Sequence, residues 1–208
     1  MTKISSSRKK KSALSCDACK RKPCAEGEDC FGMSDQILLR YTQDNLTLAR
    51  AASKIEGQYY MKKTRLEEII LFAREMGLRR LGIAFCIGLS EEAKILADIL
   101  RKYFDVVSVC CKVCGIRKNQ LDLEKIHPDQ EEVMCNPIGQ VVLLNQAETD
   151  LNIIVGLYIG HDIQFTNHSE APVTTFIVKD RILAHNTVAS LTCRYLRKRI
   201  DNEIWIQH

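Results

Sequence analysis

The chain lacks any run of apolar residues long enough to span a membrane. Its first residues, MTKISSSRKKKSALS, are basic but carry no apolar stretch of the secretory kind. Export is therefore not expected, and the expected compartment is the reducing cytoplasm. The glycines match neither G-x-G-x-x-G nor the P-loop, so neither a dinucleotide nor an ATP site is supported. Aromatic residues make up only 6% of the 208 residues, and no recognition helix or aromatic platform accompanies the basic ones. Nucleic acid is thus not an expected partner. There is no internal repeat, and nothing sets the oligomeric state.

Charge is also modest. The net value is +4, with much of it in Arg8, Lys9, Lys10, Lys11, Lys20, Arg21 and Lys22. Residues 1–14 read as a solvated, disordered basic tail.

Cysteine, by contrast, is plentiful. A reducing compartment makes ten cysteines poor disulfide partners and better metal ligands or reactive thiols. Four of them, Cys16, Cys19, Cys24 and Cys30, fall in CDACKRKPCAEGEDC, a short segment with almost nothing apolar to bury. Such a segment can fold around a metal instead of a core. Thiolates suit an iron–sulfur cluster or zinc. The spacing C-x2-C-x4-C-x5-C matches neither the paired Cys-x2-Cys hairpins of zinc modules nor the compact ferredoxin run. Four cysteines within one loop favour a cluster, with Lys20, Arg21 and Lys22 offsetting its charge. Zinc is the alternative. Residues 15–34 form this module, and 35–62 read as a linking helix.

Residues 63–208 read as an α/β domain. Thr64 and Glu67 form a capping box ahead of a helix stopped by Gly77. Near-continuous apolar strands follow at Leu81–Cys86, Asp105–Cys111, Leu151–Tyr158 and Pro172–Lys179. Ser90 is expected to cap a second helix, Asn136 and Pro137 to open a third, and Asn186 to cap a last one. The connection after the third strand reads as a loop. Apolar runs of this kind suit strands covered on both faces. The expected fold is a doubly wound, mainly parallel four-stranded sheet, Rossmann-like, with strand order 2-1-3-4.

In such a sheet, ligands bind beyond the carboxyl ends of the strands. Cys86, Cys110, Cys111 and Cys114 end or follow strands there. Cys135 precedes a helix, where the dipole favours thiolate. Gly160-His161-Asp162 follows the third strand, and His185 precedes the last helix. Neighbouring strand residues face opposite ways, so Cys111 is preferred as a ligand and Cys110 as packing. Cys193 reads as a buried mid-helix thiol. Cys86, Cys111 and Cys135 then form a three-thiolate set, with Cys114 a possible fourth. Three thiolates on a [4Fe–4S] cluster would leave one iron free for substrate. His161, Asp162 and His185 would supply proton transfer or hydrogen bonds, although either histidine could instead bond only loop backbone.

The segments GIAFCIGLSEEAKILADIL, VVSVCCKVCG, MCNPIGQVVLLNQAETDLNIIVGLYIGHD and APVTTFIVKDRILAHN resemble an uncharacterised prokaryotic family. It is the domain of unknown function numbered eighteen-forty-seven, described as predicted metal-binding proteins frequent in anaerobes. The resemblance covers most of the chain. It implies metal binding and no particular reaction. The sequence thus suggests redox or sulfur-transfer chemistry on a small molecule, with a redox partner protein as a possible companion. A non-catalytic carrier or a zinc-stabilised protein is the alternative.

Overall fold

The computed structural model describes residues 14–202, which fall into two compact units, one up to Thr47 and one from Leu48 onward. The basic tail expected over residues 1–14 lies almost wholly outside the described residues.

The first unit contains short 3-10 turns at Cys16–Ala18 and Pro23–Glu26, then helix α1 (Ser34–Leu38). None of its described residues is buried. Turns, not a core, shape it. Asp29 Oδ2 accepts the Ser34 N–H at 2.8 Å, and Lys22 Nζ donates to the Cys16 carbonyl. The helix expected across 35–62 is broken at residues 39–42, after which α2 (Gln43–Tyr59) begins. The Thr42 hydroxyl accepts the Asn45 N–H at 3.5 Å, the local side-chain bond that starts a helix anew.

In the second unit, α3 (Arg65–Glu75) opens on the expected Thr64–Glu67 capping box. Then come β1 (Arg80–Phe85), α4 (Ser90–Leu100), β2 (Asp105–Cys110), α5 (Pro137–Gln146) and β3 (Leu151–Val155). The chain continues through α6 (His161–His168), β4 (Val173–Ile177), α7 (Ala189–Thr192) and α8 (Arg194–Asp201). The sheet is entirely parallel and its order is β2-β1-β3-β4, as the sequence predicts.

Strand alternation sends apolar side chains to both faces. Leu81, Ile83, Leu151, Ile153 and Val155 pack with Ile69 and Ala73 of α3 and Ala93, Leu96 and Leu100 of α4. Ala84 and Ile154 pack on the other face with Val141 and Leu144 of α5 and Phe165 of α6. Close approach there depends on Gly82, where a Cβ would meet Asn152 Oδ1 at 2.1 Å.

Four local expectations are corrected. The β3–β4 connection is a helix, α6, and not a loop; its one buried residue, Phe165, gives a single apolar mark too sparse to show periodicity. Ser90 is the first residue of α4 and not its cap, and its hydroxyl donates to the Ile87 carbonyl at 2.6 Å. The last helix is two, broken where Cys193 turns extended at ψ 112°, and Asn186 provides no side-chain cap for the first of them. Cys193 is exposed and therefore not a core thiol.

Candidate metal centre

Backbone hydrogen bonds bring three cysteines to one edge of the sheet. Cys86 lies one residue past β1, and its N–H reaches the Val155 carbonyl at the end of β3, at 3.1 Å. Cys111 lies one residue past β2 and donates to the Phe85 carbonyl at 2.8 Å. Cys111 in turn accepts the Asn136 N–H at 2.8 Å, which draws in neighbouring Cys135. Asn136 is the expected N-cap of α5, its Oδ1 taking the Gly139 N–H at 2.8 Å, and Pro137 fills the first helical position. Behind this edge, the fully buried Gln140 donates from Nε2 to both the Phe85 and Val109 carbonyls. Its Oε1 is buried without a partner.

The thiol of Cys111 interacts with those of both Cys86 and Cys135. Cys111 is 2% exposed and Cys86 7%, while Cys135 is half-buried. The Cys111 Sγ accepts the Ile87 N–H at 3.3 Å. Lys179, two residues past β4, reaches Cys86 Sγ with its Nζ at 3.1 Å.

The three thiols titrate as one group. Donation from Cys111, outweighing burial and aided by Lys179, pulls Cys86 down to about 5. Donation from Cys111, then the His161 ring, then the charge of Lys112 pull Cys135 down to about 4. Cys111 is pushed upward by its contacts with Cys135 and then Cys86, and by burial, which disfavours its charge. Two thiols drawn toward thiolate and a third held toward its protonated form are a soft donor set.

Cys114 is exposed, with a left-handed backbone at φ 67°, and contributes to none of these contacts. Cys110 shares the strand parity of Val106 and so faces the α4 side. His161 is the first residue of α6, with its ring against Cys135 and 6.0 Å from that of Tyr158. Asp162, beside it, accepts the Ile163 N–H at 2.8 Å. His185 closes its own loop: its Nδ1 accepts the Asp180 N–H at 3.1 Å. The long connection from Lys112 to Met134 is pinned at its base by Lys118 N–H to the Glu132 carbonyl and Met134 N–H to the Ile116 carbonyl, at 2.9 and 2.8 Å.

In the first unit, desolvation and then the charges of Cys24, Glu28 and Cys19 push the Cys30 thiol upward. Cys16 stands beside Cys19 across the first turn.

Among the described residues, no group of three or more His, Cys, Asp or Glu side chains is set to hold a metal ion as it stands. The donor chemistry nonetheless fits a soft metal, because three thiols and an imidazole gather where cations lower thiol pKa values.

Residues 27–176 match DUF1847, a family described as a protein of unknown function. The chain belongs to that family. It is 53% identical over 189 residues to an uncharacterized protein of Methanocaldococcus jannaschii, a match spanning 90% of this chain and 98% of the relative. No solved structure matches. The DUF1847 match takes in Cys30, Cys86, Cys111, Cys135 and His161, and ends before Lys179. Among the described residues, no helix is long and apolar enough to cross a membrane.

Sequence reasoning missed Lys112, Lys179 and Gln140. A lysine closing an apolar parallel strand was the available signal for Lys179. Gln140, one turn into α5, carried none, because its two carbonyl partners come from separate strands.

Proposed function

We propose that the chain is an iron–sulfur protein. Cys86, Cys111 and Cys135 hold one cluster, most simply [4Fe–4S], and Cys16, Cys19, Cys24 and Cys30 hold a second. The observation that carries this reading is the convergence of three thiols from three chain segments at the carboxyl edge of a parallel sheet, where such folds bind ligands. A buried thiol trio with two members drawn toward thiolate is costly unless something positive sits among them. The coreless N-terminal unit adds support, since its four cysteines lie where burial cannot hold the chain.

A cluster with three protein ligands supplies one open iron for a small molecule. Around it, Lys179 and Lys112 balance thiolate charge. His161 can hold or pass a proton at its ring next to Cys135. Cys86 and Cys111 stay dry through burial. This arrangement suits redox or sulfur-transfer chemistry.

Zinc is the second reading, favoured by the His161 ring beside Cys135. Three thiolates and one imidazole make a tetrahedral zinc set.

The test is anaerobic purification followed by counts of iron, acid-labile sulfide and zinc per chain. About eight irons with matching sulfide support two four-iron clusters. Cys135→Ser should then remove about half of the iron, and Cys24→Ser the other half. Zinc without iron would replace the redox reading with the zinc one.

A further inference from the structure

Two lysines act on the thiols of the trio. Lys179 is half-buried and contacts Cys86 Sγ at 3.1 Å. Lys112 is half-buried, donates to the Val133 carbonyl at 2.5 Å, and acts on Cys135 by charge. Among the described residues, neither forms a salt bridge. The carboxylates adjoining Lys179 and His161 in sequence are committed elsewhere. Asp180 Oδ1 accepts the Ile182 and Leu183 N–H groups, and Asp162 accepts that of Ile163. A further cation, Arg181, lies over the Tyr158 ring at 5.9 Å, and that ring neighbours His161. The surroundings of the trio are therefore rich in cations, and the Glu132 carboxylate, on which Lys112 also acts by charge, is already paired with Lys118 at 2.9 Å.

Charge decides what such a site accepts. A dipositive [4Fe–4S] core on three thiolates carries a single net negative charge. Lys179 and Lys112 together more than cancel it. A half-buried ammonium left in excess is unfavourable, so the remaining position favours a negatively charged ligand. Gly88 adjoins both groups: a Cβ there would lie in van der Waals contact with Lys179 Nζ at 3.5 Å and Cys86 Sγ at 4.0 Å.

We propose that the substrate of this site is a small organic anion, whose negative group is held by Lys179 while a soft donor atom meets the open iron. This rests on the cluster reading above. Lys179 is a substrate-binding residue here, and its contact with Cys86 is the resting arrangement. A lysine serves better than an arginine for this purpose, because its point charge can swing between the sulfur and a ligand.

The experiment uses the anaerobically prepared full chain, with iron and sulfide counted first. 2-Mercaptoacetate and 2-mercaptoacetamide are the probes, since they share size and sulfur but differ by one charge. Binding is followed by the visible and paramagnetic-resonance spectra of the cluster. The wild-type chain should bind the anion at least about tenfold more tightly, as expected for one extra charge near an ammonium in a partly buried site. Added salt should shrink that preference. Lys179→Met should cut it at least about threefold with the iron content unchanged, and Lys179→Arg should retain most of it. Equal binding of the two probes to the wild type overturns the proposal while leaving the cluster in place. So does an undiminished preference in Lys179→Met. If Lys179→Met loses iron, the wild-type comparison and its salt dependence decide. If Cys86→Ser leaves the iron count of the wild type unchanged, the cluster reading falls and this inference with it.

Discussion

Gln140 Nε2 lies 2.7 Å from the Val109 carbonyl oxygen, and the same amide group donates to the Phe85 carbonyl at 3.1 Å. One buried side chain of α5 thus ties the carboxyl ends of β1 and β2 together, one and two residues before Cys86 and Cys111. Gln140→Leu fills similar volume but removes both of these bonds, leaving the Phe85 carbonyl only its Cys111 N–H. It should cost about 2 kcal/mol of stability, read by thermal or urea unfolding. It should also lower the iron retained at the trio more than the iron retained by the N-terminal unit.

Gly82 sits where β1 faces Asn152 and Leu144. A methyl group there would meet Asn152 Oδ1 at 2.1 Å and both Leu144 methyls at 3.1 Å. Asn152 cannot withdraw freely, because its amide holds Thr149 and Ser169 at 2.9 and 2.8 Å. Gly82→Ala should therefore destabilise the second unit by about 2 kcal/mol through overpacking. A melting temperature equal to that of the wild type would contradict this packing.

Asp150 accepts the Arg79 and Arg80 N–H groups at 2.7 and 2.8 Å, ahead of β1. The Arg80 bond, then the Arg79 bond, hold its carboxyl below the ordinary aspartate value of 3.8. The folded state thus favours the ionised form, and the associated stability is present above the unfolded value. It is lost as the pH falls through 3.8 toward the lower folded value. Asp150→Ala should cost about 1 kcal/mol at neutral pH, a small figure because the group is open to solvent. The gap between variant and wild type should narrow below that pH. A gap that widens on acidification would contradict the assignment.

The first unit has no buried residue among those described, so its shape should depend on whatever its cysteines bind. Metal removal by chelator should open residues 16–38 to protease and to amide exchange, while the strands of the second unit stay protected. Cys24→Ser should reproduce this without chelator. Unchanged protection of the segment after metal removal would mean that its turns suffice, chiefly the Asp29–Ser34 bond.

The place of Lys179 at the end of an apolar strand was visible in the chain, but its contact with Cys86 came only from the fold, whereas the cysteines were conspicuous. Cys86, Cys111 and Cys135 were legible because each falls at the end of an apolar strand or just before a Pro-initiated helix, features that local chemistry marks. Helix α6 was illegible because a single buried phenylalanine anchors it. Cys193 was misplaced because whether a helical residue is covered depends on what packs over it.

The sequence by itself determined the parallel α/β architecture, its strand order and the cysteine-rich first unit. Continuous apolar runs, helix caps and thiol spacing are short-range properties that one chain segment carries alone. Only the tertiary structure decided which sulfurs interact, that Lys179 rather than His185 touches them, and that Gln140 braces the strand ends beneath. Those contacts join residues between 24 and 93 positions apart, as Ile87 with Cys111 and Cys86 with Lys179. Distances across such separations are set by sheet register and helix packing, which no local pattern encodes.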